Sequence, residues 1–188
     1  MAMADIDEHV AKTVRGWVWS GFYSRLQVKE MARDIVEDPS QEDATDFFIN
    51  AECGAKRKAE RTWPAETDCD RLDRAWETLR TSGVVALQNA GYTMSDGHHE
   101  VDLAAEAHSP DQLRGYAFYH GQDLERAVES GDLYIAFGSL DDNKERNVAV
   151  GQMVRDVLRD AGFNVEWNDD PQTRILIRGM TWRKRGPA

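Results

Sequence analysis

Two cysteines in 188 residues, Cys53 and Cys69, are too few for a disulfide framework, and their spacing matches no metal-binding motif. Both are expected to be reduced thiols. No apolar run approaches the ~20 residues of a membrane-spanning helix. The opening MAMADIDEHV is acidic and lacks the basic-then-apolar pattern of a secretion signal. These absences predict a soluble, cytoplasmic protein without a membrane partner. Basic residues are scarce: 23 Lys and Arg stand against 34 Asp and Glu, a net charge of −11. An acidic body argues against nucleic acid, whose binding depends on Lys and Arg, and suits a basic protein partner better. No Walker loop, G-x-G-x-x-G or G-x-S-x-G element is present, so no cofactor is expected. Neither a repeat nor a low-complexity tract is present.

Hydrophobic residues make up 41% of the chain and charged residues 30%, with six Trp, six Phe and five Tyr for a core. The first third reads as three amphipathic helices. Ile6, Val10, Val14, Trp17 and Val18 recur at helical spacing, as do Val28, Met31, Ala32, Ile35 and Val36. Ser24 and Gln27 form a capping-box pattern ahead of the second helix. Ser40 is read as the cap of the third helix, with Asp43 in its first turn. Trp17, Trp19, Phe22 and Tyr23 crowd the end of the first helix and are read as packing between two units.

Pro64 breaks the helical pattern, which places a boundary near residues 63–66. Beyond it, apolar runs at 84–87, 116–119 and 133–137 alternate with helices and read as buried strands. Asp141 or Asp142 is read as opening a long helix. Residues 163–167 and 174–178 read as an antiparallel hairpin. In the second of these, Arg174, Leu176 and Arg178 alternate with Ile175 and Ile177. The basic face is read as guarding a sheet edge or packing against the acidic body. The chain is therefore predicted to be α+β: a helical N-terminal unit (1–63) packed on a mixed-sheet α/β domain (67–188) of four to five strands.

Three strand-to-helix junctions carry polar residues together with glycine: residues 88–97, 119–123 and 138–142. Were the strands parallel, all three would gather at one sheet edge, the usual ligand crevice of α/β proteins, with helix N-termini offering free N–H groups. The link from Gly121 to Gly131 is barely long enough for a parallel crossover. With the second and third strands antiparallel, their junctions lie at opposite edges.

His120 is the leading candidate for chemistry, because an imidazole near a carboxylate holds a proton poised near neutral pH. Asp123 is the candidate to orient it. Gln122, Tyr119, Asn89, Tyr92 and Asp96 are the candidate binding residues. Asp96, His98, His99, Glu100 and Asp102 offer metal donors, but the His-His-Glu run splays around one helical turn, and no metal is expected. Two functions follow. The first is a non-catalytic binding module for a protein partner, favoured by the acidic body and the lack of a complete catalytic motif. The alternative is a small hydrolase or transferase with His120 as general base.

The segments CDRLDRAW (69–76), GVVALQNAGYTMSDG (83–97), RGYAFYHGQDLERAV (114–128), LYIAFGSLDD (133–142) and VEW (165–167) together resemble an uncharacterised, mainly actinobacterial protein family of unknown function. The resemblance covers about residues 67–185, and a WxWSGF-like segment at 17–22 extends it. It implies a bacterial, cytoplasmic origin and brings no activity, cofactor or partner.

Overall fold

A computed structural model describes residues 6–187. The fold is α+β: seven α-helices and a mixed five-stranded sheet are formed by the described residues. These divide into two compact units. One runs up to Thr67 and takes in the residues from Trp182 onward; the other is Asp68–Thr181. No helix of the described residues is long and apolar enough to cross a membrane.

The helical unit contains α1 (Glu8–Ser20), α2 (Arg25–Ile35) and α3 (Glu42–Glu60). Asp7 caps α1 by accepting from the His9 and Val10 N–H groups. The Ser24–Gln27 capping box ahead of α2 forms as the sequence predicts. The cap of α3 does not. Asp38 accepts from the Ser40 N–H at 2.9 Å and starts a 3-10 turn at Pro39–Gln41, which runs into α3. Pro39, preset for the first helical position, moves the start back by two residues relative to a Ser40 cap. Val10, Val14, Val18, Val28, Ala32 and Ile49 form the core, and Trp17, Trp19 and Tyr23 pack on it within their own unit. Gly21 closes α1 in the left-handed region (φ 80°). A Cβ there would stand 2.5 Å from the Lys184 carbonyl oxygen, so only glycine fits. Trp182 donates to the Ser20 carbonyl at 3.0 Å and its ring meets Phe22.

The second unit contains α4 (Asp68–Thr81), β1 (Val84–Gln88), α5 (Met94–Ala105), β2 (Gly115–Tyr119), α6 (Gly121–Ser130), β3 (Leu133–Gly138), α7 (Lys144–Asp160), β4 (Val165–Glu166) and β5 (Ile175–Ile177). The strand order is β1-β2-β3-β5-β4. β1 and β2 are parallel, joined by the long α5 crossover; β2–β3, β3–β5 and β5–β4 are antiparallel. After the short α6 link β3 reverses direction and pairs antiparallel with β2. Consequently the 138–142 junction lies at the other end of the sheet from the 88–97 and 119–123 junctions. Asn143, not Asp141 or Asp142, caps α7, accepting from the Arg146 N–H. The edge strand is β4, so β5 guards no edge. Its basic residues are paired instead: Arg178 with Glu166 and Asp132, and Arg174 with Asp123.

Strand alternation splits the core. Val85, Phe118 and Ala136 pack with Val101 of α5 on one face. On the other, Trp76 of α4 meets Tyr119 edge-on at 5.7 Å. Gly97 brings α5 close to the Phe118 ring, into which a Cβ would intrude.

Candidate functional site

Because β1 and β2 run parallel, their C-terminal ends open at the same place, and the loop after each strand meets the other there. The Ala90 N–H donates to the Tyr119 carbonyl at 3.0 Å, the Gly121 N–H to Gly91 at 2.9 Å, and the Gln122 N–H to Tyr92 at 3.3 Å. The bend depends on Asn89 (φ 51°) and Gly91 (φ 58°), both left-handed, a conformation Asn and Gly tolerate best. Gly121 supplies the clearance, since a Cβ there would stand 2.7 Å from Tyr92 Cδ2. Two first-turn N–H groups of α6 are thereby consumed by loop carbonyls. The sequence expectation of a free, anion-receptive helix start is not met.

Asp96 is consumed too. Thr93 caps α5 and Asp96 reciprocates: its carboxylate accepts from the Thr93 N–H and hydroxyl, each at 2.9 Å, and from the Tyr92 N–H at 3.2 Å. These bonds, led by Thr93's N–H, hold its carboxyl below the ordinary Asp value. Glu100 accepts from the Gly91 N–H at 2.7 Å. Tyr92 is exposed, and its hydroxyl donates to Glu125 at 3.3 Å. Gln122 is exposed on the first turn of α6, and Asn89 is half-buried at the end of β1. Tyr119 is turned away into the core. It is fully buried, and its hydroxyl donates to Gln88 Oε1 at 2.8 Å. Burial pushes that phenol well above its ordinary value.

The structure does join His120 to Asp123. His120 sits at the N-cap of α6 without capping it and is 5% exposed; Asp123 is 1% exposed. Nε2 of His120 lies 3.1 Å from Asp123 Oδ2. A nitrogen facing a carboxylate carries the proton, which leaves Nδ1 with the lone pair. Nδ1 is buried and makes no hydrogen bond among the described residues. Burial lowers the proton affinity of the imidazole below its ordinary value. Asp123 works against this, Arg174 and Arg126 reinforce it, and Asp96 opposes it. These influences together favour the neutral imidazole at pH 7.

Arg174 and Tyr134 complete the cluster, and local sequence pattern points to neither. Nη1 of Arg174 contacts both Asp123 oxygens, at 2.8 and 2.9 Å. Arg126, one turn after Asp123, contacts it more loosely at 3.4 Å. Both guanidiniums stand over the Tyr134 ring, 4.8 Å (Arg174) and 5.2 Å (Arg126) from its centre. At the far junction, Ser139 is locked into a structural network, its hydroxyl donating to Asn147 at 2.7 Å. Among the described residues, no group of three or more His, Cys, Asp or Glu side chains converges as a metal-ligand set.

The helical unit has a small open cleft of about 60 Å³ between α2 and α3, lined by Lys29, Arg33, Glu42, Asp43, Thr45 and Asp46. Its charges are partly spent on a Lys29–Asp46 ion pair at 2.7 Å, and it contains no oriented acid–base pair.

A family model described as a domain of unknown function, DUF6891, matches residues 3–186. The chain belongs to that family. The match takes in the N-terminal helices as well as the segments on which the sequence resemblance rests. No curated protein and no solved structure matches the chain. DUF6891 brings no activity with it, so the chemistry of the site rests on its geometry.

Proposed function

We propose that the α/β unit carries a small hydrolase or transferase site in which His120 is the general base. One observation carries this reading: a buried neutral imidazole, oriented by a buried carboxylate, whose Nδ1 lone pair has no donor. Buried polar atoms are ordinarily satisfied, and an exception calls for a reason. A water or substrate hydroxyl that donates to Nδ1 supplies one. Transfer of its proton to Nδ1 makes an imidazolium that Asp123 stabilises through Nε2–H, with no protein nucleophile required. The α6 N–H groups are occupied by loop carbonyls and both guanidiniums are engaged by Asp123. The reading therefore favours a neutral or cationic substrate with hydroxyl or amine donors over a phosphate. Cys53 and Cys69 form no disulfide, which fits a reducing, cytoplasmic setting.

The test is a panel of p-nitrophenyl esters, glycosides and phosphate, with release of nitrophenolate followed for wild type and His120→Gln. Gln keeps a donor toward Asp123 and removes the Nδ1 acceptor. The expected outcome is turnover of an uncharged substrate that falls by about 100-fold or more in the variant, the range of general-base catalysis, at an unchanged Tm. Turnover unaffected by the substitution excludes His120 as the base.

A second reading, docking of a basic protein partner, is favoured by the exposed face of α5, where Leu103 is flanked by Asp102 and Glu106. Charge complementarity of this kind steers association and makes it salt-dependent. Binding of a Lys-rich peptide that is lost in Asp102→Lys/Glu106→Lys and retained in Asp156→Lys supports this reading. Equal losses in both reduce it to non-specific attraction.

A further inference from the structure

We infer that Arg174 is a positioning residue for this site: by offsetting the Asp123 carboxylate, it acts together with burial to keep His120 an uncharged acceptor instead of the cationic half of a His–Asp ion pair. The inference rests on the reading of His120 as base and adds the group that sets its protonation state.

A carboxylate 3.1 Å from an imidazole ordinarily draws a proton onto it, and the pull strengthens with burial. Asp123 is nearly inaccessible to water, so solvent cannot offset its charge. Arg174 does so directly. Its Nη1 contacts both carboxylate oxygens, and its guanidinium carbon lies 4.8 Å from the centre of the Tyr134 ring on β3. Residue 174 immediately precedes β5, whose first residue, Ile175, is paired with Ile135 of β3. Arg174 thus stands one position before a sheet-paired residue.

The charged groups acting on His120 come from three elements: Asp123 and Arg126 from α6, Arg174 from the start of β5, and Asp96 from α5. The two carboxylates favour the imidazolium and the two guanidiniums oppose it. Arg126 is the weaker opponent: its contact is longer and its side chain is 47% exposed, against 32% for Arg174. With Arg174 removed, burial and the solvated Arg126 still oppose the imidazolium, but Asp123 pulls on the ring less opposed, so the proton affinity of His120 rises.

The experiment is a pH titration of the full chain, with ¹⁵N-labelled histidine, by long-range ¹H–¹⁵N NMR. Wild type, Arg174→Gln, Arg174→Lys and the double variant Arg174→Gln/Asp123→Asn are compared. Arg174→Gln is expected to raise the His120 midpoint by about one pH unit or more, a tenfold gain in proton affinity, as expected when a close charge is removed. Arg174→Lys keeps the charge and is expected to stay within a few tenths of wild type. The double variant is expected to fall back, because the carboxylate is gone as well. If Arg174→Gln fails to fold, Asp123→Asn alone decides: the midpoint must drop below that of wild type. A midpoint in Arg174→Gln within about 0.3 of wild type, a Lys variant that shifts as far as Gln, or a rise in Asp123→Asn overturns the inference; the threshold is a small fraction of the shift a close charge produces. Failure of the base reading is separately visible. It appears as the expected titrations together with turnover that His120→Gln leaves intact.

Discussion

The two units of this chain handle charge differently. The helical unit, residues 1–67 with 182–188, has 13 acidic and 12 basic side chains, a net −1; residues 68–181 have 21 and 11, a net −10. In the helical unit the ion pairs tie helix to helix at the surface. Glu52 of α3 accepts from Arg15 at 3.0 Å and from the Trp19 indole at 2.8 Å, with Arg15 largely exposed. In the α/β unit the carboxylate of Asp123 plays a similar joining role but is buried, and the imidazole it orients is left with an unsatisfied nitrogen. The two carboxylate hubs, Glu52 with two residue partners and Asp123 with three, serve different ends. Glu52, 14% exposed and shared with a largely exposed Arg15, adds stability by joining α1 to α3. Asp123, 1% exposed, also biases the protonation of its neighbour His120.

The most direct way to break that comparison is to remove each hub. Asp123→Ala strands Arg174 and is expected to cost about 3–5 kcal/mol, the range for breaking a buried pair. Glu52→Ala is expected to cost about 1–2 kcal/mol, as for hydrogen bonds to a charged group near the surface. Urea denaturation of both variants measures the difference, and equal losses would erase the distinction. Gly21→Ala forces a left-handed residue against Lys184 and is expected to cost about 2 kcal/mol. Urea denaturation of the variant reads that loss. Thr93→Ala removes the α5 cap and is expected to cost about 1 kcal/mol, read as a lower Tm.

The smallest effect is pH-dependent. The folded imidazole binds its proton more weakly than the unfolded one, whose ordinary value is 6.5. Above that pH neither state is protonated and the stability is fully present. As pH falls through 6.5 the unfolded chain takes up the proton first, so stability is lost until the lower, folded value is reached. Wild type should thus lose stability relative to His120→Gln as pH drops below about 6.5, down to the depressed folded value. A parallel pair of stability curves would place the two imidazole states at equal affinity.

Much of the fold was legible because its signals are local. The Ser24–Gln27 box, the apolar stripes of α1 and α2, and the runs that became β1, β2 and β3 all declare themselves within a few residues. The errors were also local, and each arose from a competing cap. Asp38 outcompeted Ser40, with Pro39 fixing the turn. Asn143 outcompeted Asp141 and Asp142. Asp96, a candidate binding residue, is also half of the capping box that Thr93, three residues earlier, marks. The reversal of β3 was foreshadowed by the short link after His120, yet length alone left both directions open. At the site, the His120–Asp123 pairing was readable as an i, i+3 relation at a helix start. Arg174 was not, because it lies 51 positions from Asp123 and only the β3–β5 pairing brings it there. Tyr119 was misread as a binding residue for a related reason: strand alternation turns it toward Trp76, on the opposite face from Phe118.

The claim on which the rest depends is that His120 is a neutral acceptor with its proton on Nε2. A long-range ¹H–¹⁵N spectrum of the wild-type chain at pH 7 tests it most directly. The account expects one protonated nitrogen, Nε2, hydrogen-bonded to Asp123, and a bare Nδ1 with the shift of an unprotonated imidazole nitrogen. An imidazolium, or a proton on Nδ1, would contradict it.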